Sequence, residues 1–350
     1  MIKVLYLFSG SRKNRIGIHG VDCPETQLYG SNHFSELGIS ATQKAWDDMP
    51  GLRTIMPRLP FGIRHSLLFF LTKNYDIVFG SSLIYMMLWR KIFWRSHTKF
   101  VLLNTSLNRL LISNKHKRLK NYLIRACVNE LDAIACLSRV QEQELRNLLG
   151  VTMPLFFVPL GVDQKYYAYA RDGRKDFILS GGRDNGRDYA TFMKVAEALP
   201  QQKFVLFCNP RNLVGVSQIP FNVEVCYDID TAEARDLYQT AKLLLLTTHP
   251  DGYQDGSDCS GQTVLLDAMA SGVPVIATRK AYLRDYVTDG QDALIAESGS
   301  IESIVSKITL LDTVQMRERM ALRAREKVEQ LFTSEKMAQN LAQVFKKLSL

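Results

Sequence analysis

Between Asp251 and Gly290 the sequence reads DGYQDGSDCSGQTVLLDAMASGVPVIATRKAYLRDYVTDG, a polar, glycine-rich loop that opens directly into an apolar helical pattern. The first backbone N–H groups of a helix lack partners and carry partial positive charge, so a loop ending in small residues at that point suits a phosphate. Ser260, Gly261, Gln262 and Thr263 are the phosphate candidates. Asp267 follows about one and a half turns later, where a carboxylate could accept both hydroxyls of a ribose. The plainer alternative is that Ser260–Thr263 is only a helix cap and that Asp267 serves the helix dipole or solvent. Asp255 and Asp258 could add a carboxylate from the same loop, or be solvated loop residues.

A second constellation is SGGRDNGRDY at 180–189. Gly181 and Gly182 let the backbone turn tightly near a ligand, and Arg183 and Arg187 add two permanent positive charges. Against this stands the reading in which both arginines are surface partners of Asp184 and Asp188. Asn209, Tyr227 and Asp228 follow apolar runs and are placed by topology to meet a nucleotide base.

These groups need a scaffold, and the chain offers one. Short β-rich runs alternate with amphipathic stretches, the signature of parallel βαβ units. Strands are expected over 3–8, 75–79, 100–104, 132–137 and 155–158, with helices over 28–37, 65–72, 83–93, 115–129 and 139–148. The stretch 159–175 breaks the rhythm and is expected as a linker. A second strand series follows at 177–180, 204–208, 223–226, 243–247, 275–277 and 293–295, and the chain closes with helices over 314–331 and 333–348. Asp230 followed by Glu233 is a capping-box pattern. Two Rossmann-like sheets in tandem make an α/β protein, with a cleft facing the carboxyl ends of both strand sets as the expected ligand site.

Composition supports this frame. With 350 residues, 46% hydrophobic and 23% charged, the chain is a folded protein of two domains rather than a disordered one. The net charge of +9 is uneven, about +11 in residues 1–170 and about −2 in the remainder. Around LIYMMLWRKIFWRSHTK at 83–99, Trp89, Phe93 and Trp94 alternate with Arg90, Lys91 and Arg95, and NKHKRLK follows at 114–120. That mixture suits an anionic membrane surface, or a core helix with a solvated basic end. No apolar run reaches membrane-spanning length and none makes a signal-peptide core, so a cytoplasmic protein, peripheral on the membrane at most, is expected. Six cysteines show no CxxC pair or metal-ligand spacing, and no metal or cofactor is expected. Neither first strand leads into GxGxxG, which disfavours a dehydrogenase. No nucleic-acid-binding pattern is present.

The segment VLLDAMASGVPVI at 264–276 resembles glycosyltransferase family 4, in which a carboxylate precedes AMA, a small residue and Gly, then PVI. Tyr286-Val287, Asp289-Gly290, YDIV at 75–78, the strand 132–138 and VPLGVD at 158–163 fit the same family order. The resemblance implies a GT-B fold: an acceptor domain at 1–165, a nucleotide-sugar domain at 166–332, and a C-terminal helix at 333–350 returning to the first domain. It implies transfer of a sugar from a nucleotide-sugar to a glycan or lipid-linked acceptor, with retention and without a metal. Arg183 and Arg187 would stabilise the charge developing on the departing diphosphate, and Gly10, His19 and Glu25, with Ser9 and Arg12 nearby, would lie on the acceptor side. The family's two glutamates are separated by seven intervening residues, whereas here Cys259 holds the first place and Asp267 the second. Many members carry a histidine after the strand matching 100–104, where this chain has Asn104-Thr105-Ser106. A sugar-nucleotide epimerase and a non-catalytic nucleotide-sugar or nucleic-acid binder are the competing readings.

Overall fold

The computed structural model describes residues 1–8, 10, 23–45, 65–93, 97–150, 153–170 and 173–349. They divide into two compact units. Met1–His19, Gln27–Pro159 and Ser334–Leu350 form the first, and Gly20–Thr26 with Leu160–Thr333 the second.

The first unit is built on six parallel strands: β1 (Ile2–Phe8), β2 (Ile39–Ala45), β3 (Ile77–Gly80), β4 (Lys99–Asn104), β5 (Ala133–Cys136) and β6 (Leu155–Phe157), in the order β2-β1-β3-β4-β5-β6. Val4–Phe8, Ile77–Gly80 and Ala133–Cys136 are buried throughout. Parallel sheets are covered on both faces, which is why these strands read as unbroken apolar runs. Edge strand β2, ISATQKA, is half-exposed and carries no such run, so periodicity did not reveal it. The helix expected over 28–37 is instead a chain of short 3₁₀ turns, Glu25–Leu28, Ser31–His33 and Ser35–Leu37. Gly30 and Gly38 interrupt it at φ +73°, a conformation that favours glycine.

A short helix at Leu107–Ser113 also went unseen, while Arg118–Val128 and Arg139–Leu149 fall where the pattern placed them. The last helix, Ser334–Leu348, completes this unit. It buries Met337, Leu341, Val344 and Phe345, one stripe at helical spacing. Phe345 packs 5.7 Å from Phe34 and 5.6 Å from Phe79 between ring centroids. Gly30 allows this approach, since a Cβ there would stand 2.8 Å from the Ala338 nitrogen.

The second unit has its own six parallel strands: β7 (Phe177–Gly181), β8 (Lys203–Cys208), β9 (Val223–Tyr227), β10 (Leu243–Leu246), β11 (Val275–Thr278) and β12 (Leu294–Ala296), in the order β12-β11-β10-β7-β8-β9. Counted within the unit this is 6-5-4-1-2-3, the order of doubly wound nucleotide-binding sheets. The direction of winding reverses between β7 and β10, where the connecting chains part and leave a crevice beyond the strand ends. The Asp230 capping box forms as its spacing predicts: Asp230 accepts from Ala232 and Glu233, and Glu233 accepts from the Asp230 N–H.

The stretch expected as a linker is anchored within the second unit. The Asp163 carboxylate accepts from the N–H groups of Lys165, Tyr166 and Glu25, and Asp163 N donates to Thr26 Oγ1. The chain passes from one unit to the other at 19–20, 26–27, 159–160 and 333–334, and Glu25 groups with the second unit.

The basic and aromatic stretch at 83–99 is less open than its sequence suggests. Arg90 donates to the Glu130 carbonyl, pairs with Asp132 at 2.7 Å and lies over the Phe100 ring, leaving its side chain 16% exposed. Trp89 packs on Phe70, and Trp94 and Arg95 lie outside the described residues. Lys115, Lys117, Arg118 and Lys120 are exposed. Among the described residues no helix is long and apolar enough to cross a membrane.

Candidate functional site

At the carboxyl end of β7 the glycines act by close packing. A Cβ on Gly181 would meet the Phe207 ring at 2.2 Å, and one on Gly182, at φ +121°, would meet Arg187 Nη2 at 2.6 Å. Tyr189 donates its hydroxyl to the Gly182 carbonyl at 2.6 Å, and Gly182 N donates to Phe207, so this turn is fixed from both sides.

Arg187 lies in the crevice between β7 and β10. Its backbone bridges to Thr248, just past the end of β10, and only 6% of the residue is exposed. The guanidinium fits between Gly182 and Gly261, whose Cβ position is 3.0 Å from Nη1. Buried Nε and Nη1 have no hydrogen-bond partner among the described residues. Gly261, at φ +95°, opens the helix Gln262–Ala270, so its first N–H groups lie beside that cation. A buried arginine normally holds a carboxylate or several carbonyls, and one left with idle donors is costly. Here it is joined by a helix N-terminus, a second source of positive potential.

Asp184 ties this corner together beside the arginine. Its carboxylate accepts from Gly186 N at 2.8 Å and Ser257 N at 2.9 Å, joining loop 182–187 to loop 251–258. Burial works against the ionised form, but the Ser260 hydroxyl, the Gly186 and Ser257 bonds and the Arg187 charge outweigh it, holding the carboxyl below its ordinary value. Asn185 reaches Asp255 across the same seam, so Asp255 braces the loop. Asp188 caps the helix Tyr189–Ala198 by accepting from Thr191 N and Oγ1.

The other candidates fall into three places. Ser260 and Gln262 are buried at the Arg187 corner, Thr263 is exposed in the first turn of the helix, and Asp258 is half-buried just before Cys259. Arg183, Asn209 and Tyr227 lie along the β7-β8-β9 side: Arg183 is exposed and donates to the Ile229 carbonyl at 2.8 Å, Asn209 begins the turn Pro210–Leu213, and Tyr227 is 44% exposed. Asp228 follows at φ +53°.

Asp267 points inward. It is 5% exposed, with Oδ1 unpartnered, and burial pushes its carboxyl well above the ordinary value, assisted by Asp163 and opposed by a hydrogen bond from Tyr167. On the acceptor side, Gly10 has nothing within 4 Å of its Cβ position, Glu25 is held through its backbone by Asp163, and Ser9, Arg12 and His19 lie outside the described residues.

Two neighbouring side chains belong to no sequence motif. His249 stacks on Tyr253 at 3.8 Å between centroids, with Nδ1 3.9 Å from Asp188 Oδ2. Lys280, its side chain 4% exposed, reaches the Pro250 carbonyl and Asp251. Their position just after β10 and β11 was the available signal. In the first unit, Asn104 ends β4 in a closed network: its oxygen accepts from Leu107 N, its Nδ2 donates to Asn108, and Gln141 donates to its carbonyl. Among the described residues no group of three or more His, Cys, Asp or Glu side chains could hold a metal ion.

Residues 185–343 match the family described as Glycosyl transferase-like. N-acetyl-alpha-D-glucosaminyl L-malate synthase of Bacillus anthracis is 34% identical over 83 residues, 23% of this chain and 22% of that protein. The chain spans about a quarter of the length of the curated relatives it matches. Sucrose-phosphate synthase (tll1590) from Thermosynechococcus elongatus has a TM-score of 0.76 at 16% identity, covering 99% of each chain. Anabaena HepE in complex with UDP-glucose has a TM-score of 0.72 at 12% identity, covering 99% of this chain and 100% of that one. The fold is GT-B, and the resemblance carried by Val264–Ile276 is borne out.

Proposed function

We propose that this protein is a glycosyltransferase whose second unit binds a nucleotide-sugar in the crevice between β7 and β10. The observation that carries the reading is the Arg187 guanidinium, buried with idle donors beside the start of helix Gln262–Ala270. A diphosphate satisfies both at once. As the bond from sugar to phosphate breaks, negative charge grows on the leaving diphosphate, and donors already in place stabilise it without reorganising. Arg183, at the rim, adds a weaker and solvated positive charge. Arg187 is the more central of the two arginines on this reading, and Asp267 is left out of the ligand set because its carboxyl is buried behind Tyr167.

The two arginines take the part a divalent metal plays elsewhere, so the reaction is metal-independent, and the departing phosphate removes the acceptor's proton, giving retention. Asn104, already committed to its network, is no base. The base of the nucleotide sits toward Asn209 and Tyr227. The UDP-glucose bound by HepE makes uridine nucleotides the first donors to test. The acceptor is a glycan or a lipid-linked glycan presented at an anionic membrane surface, which the exposed Lys115–Lys120 charges favour.

Incubating the protein with a panel of nucleotide-sugars, with and without a chelator, and following nucleoside diphosphate release tests this reading. Turnover that survives chelation and collapses in Arg187→Ala is expected. Turnover unchanged in both Arg187→Ala and Arg183→Ala would sink the site, and product without any acceptor consumed would favour an epimerase.

A further inference from the structure

The first unit carries two adjoining cavities of opposite character. One, of about 290 Å³, lies beyond the carboxyl ends of β3 and β4, where Ser81, Ser82, Thr105 and Ser106 line it. The other, of about 620 Å³, is an apolar groove formed by Leu88, Trp89, Ile92, Leu123, Ile124 and Cys127. Ile84, Tyr85 and Leu110 line both, so the polar pocket runs into the apolar groove. Sites of ~300–1,000 Å³ are the size that takes small organic ligands.

The groove is open where a folded protein would ordinarily close it. Leu88 is 44% exposed, Ile92 68% and Leu123 43%, and beyond them Leu119 and Tyr122 face outward on the same helix, Arg118–Val128. A cluster of exposed apolar side chains of this extent marks a binding surface. Lys120 lines the groove itself, and Lys115, Lys117 and Arg118 are exposed close by in sequence. The occupant must therefore be apolar along its length, anionic near one end, and polar where it meets the serines. A second copy of this chain would set like charges against like, and a glycan has no apolar portion to fill the groove.

We propose that this groove holds the hydrocarbon chain of a phosphate-bearing lipid acceptor, with the phosphate near Lys120 and the polar head in the serine-lined pocket. The inference rests on the glycosyltransferase reading and narrows its acceptor to a lipid. No covalent step occurs at this site: the groove selects and positions the acceptor, and each methylene it buries strengthens binding roughly fourfold.

Trp89, in the groove wall, supplies the readout. We would titrate the protein with 12-bromododecyl phosphate below its micelle concentration, follow bromine quenching of tryptophan fluorescence, and use 4-bromobutyl phosphate and inorganic phosphate as short arms. Saturable quenching is expected with the long chain, at least ~100-fold tighter than with the short one, and Trp89→Phe should lower its amplitude. Ile92→Glu and Leu123→Glu, at exposed positions where folding should survive, are each expected to weaken binding at least ~10-fold by setting a carboxylate against the chain. Phe221→Glu, 88% exposed on the second unit, should leave it unchanged.

Non-saturable quenching, equal affinity for the two chain lengths, or Phe221→Glu weakening binding as much as Ile92→Glu would overturn the proposal. Nucleotide affinity measured calorimetrically on the same samples separates the two readings. If nucleotides bind and the alkyl phosphate does not, the groove proposal falls alone. If the alkyl phosphate binds and nucleotide-sugars do not, the donor reading falls and the groove stands.

Discussion

The carboxyl edges of the two sheets are built by opposite means. At the second, Gly181, Gly182, Gly186, Gly256 and Gly261 draw backbone in so closely that a charged group is enclosed with idle donors. At the first, the residue ending β4 is an asparagine whose side chain is bonded to Leu107 and Asn108, beside a pocket that opens onto apolar surface. One edge leaves buried donors without partners among the described residues, and the other has closed its own network. A site that must bind charge keeps unsatisfied groups and needs rigid surroundings to hold them. A site that selects by shape can afford a satisfied floor.

The sharpest way to break that contrast is Arg187→Ala. Removing a preorganised donor to a developing anion costs about 10²–10³ in turnover, and donor kinetics should show a loss of that order with the fold intact by circular dichroism. Gly182→Ala attacks the same site through its packing. The added methyl meets Arg187 Nη2 at 2.6 Å in a backbone region that side chains rarely adopt, so about 1–3 kcal/mol of stability and roughly tenfold in nucleotide affinity are the expected losses, read by denaturation and calorimetry. If this variant binds nucleotide normally, close glycine packing is not what places the arginine.

On the other edge, Asn104→Ala removes the acceptor of Leu107 N and the donor to Asn108 Oδ1. It should destabilise the protein by about 1–3 kcal/mol in urea while leaving nucleotide affinity at the second unit unchanged. Arg183→Ala sharpens the distinction between buried and rim charge. Exposed charges are worth about 0.2–1 kcal/mol, so an effect no larger than about fivefold on donor KM is expected.

The smallest effect concerns Asp267. Burial raises its carboxyl well above the ordinary 3.8, so the fold favours the protonated form. The stability this gives is complete below about 3.8 and is lost as pH rises toward the elevated native value. Asp267→Asn keeps the neutral form at all pH, and its melting temperature at neutral pH should equal or exceed the parent's, with a flatter decline from acid. Donor turnover should persist in this variant. A loss as large as that of Arg187→Ala would return Asp267 to the ligand set.

Much of this was legible where cause and effect lie close in sequence. The apolar runs of β1, β4 and β10, the Asp230–Glu233 cap and the loop-to-helix junction at Ser260–Gly261 are local features, and the chain shows them. What escaped depends on distant partners. The burial of Asp267 against Tyr167, a hundred positions earlier, has no local signature. Arg90 reads as a membrane-facing cation until Asp132 and Phe100 claim it. Spacing cannot see that Gly182 and Gly261 close around Arg187 while Arg183 stays exposed. Strand β2 escaped because an edge strand can keep its polar residues.

The helix Ser334–Leu348 places Phe345 against Phe34 and Phe79, so the first unit is assembled from stretches that leave the ribosome more than three hundred residues apart. The second unit is almost contiguous and does not wait for that helix. The half that begins the chain is thus the half that finishes folding last, and until it does, the apolar surface meant for Phe345 stays open to aggregation and to chaperones.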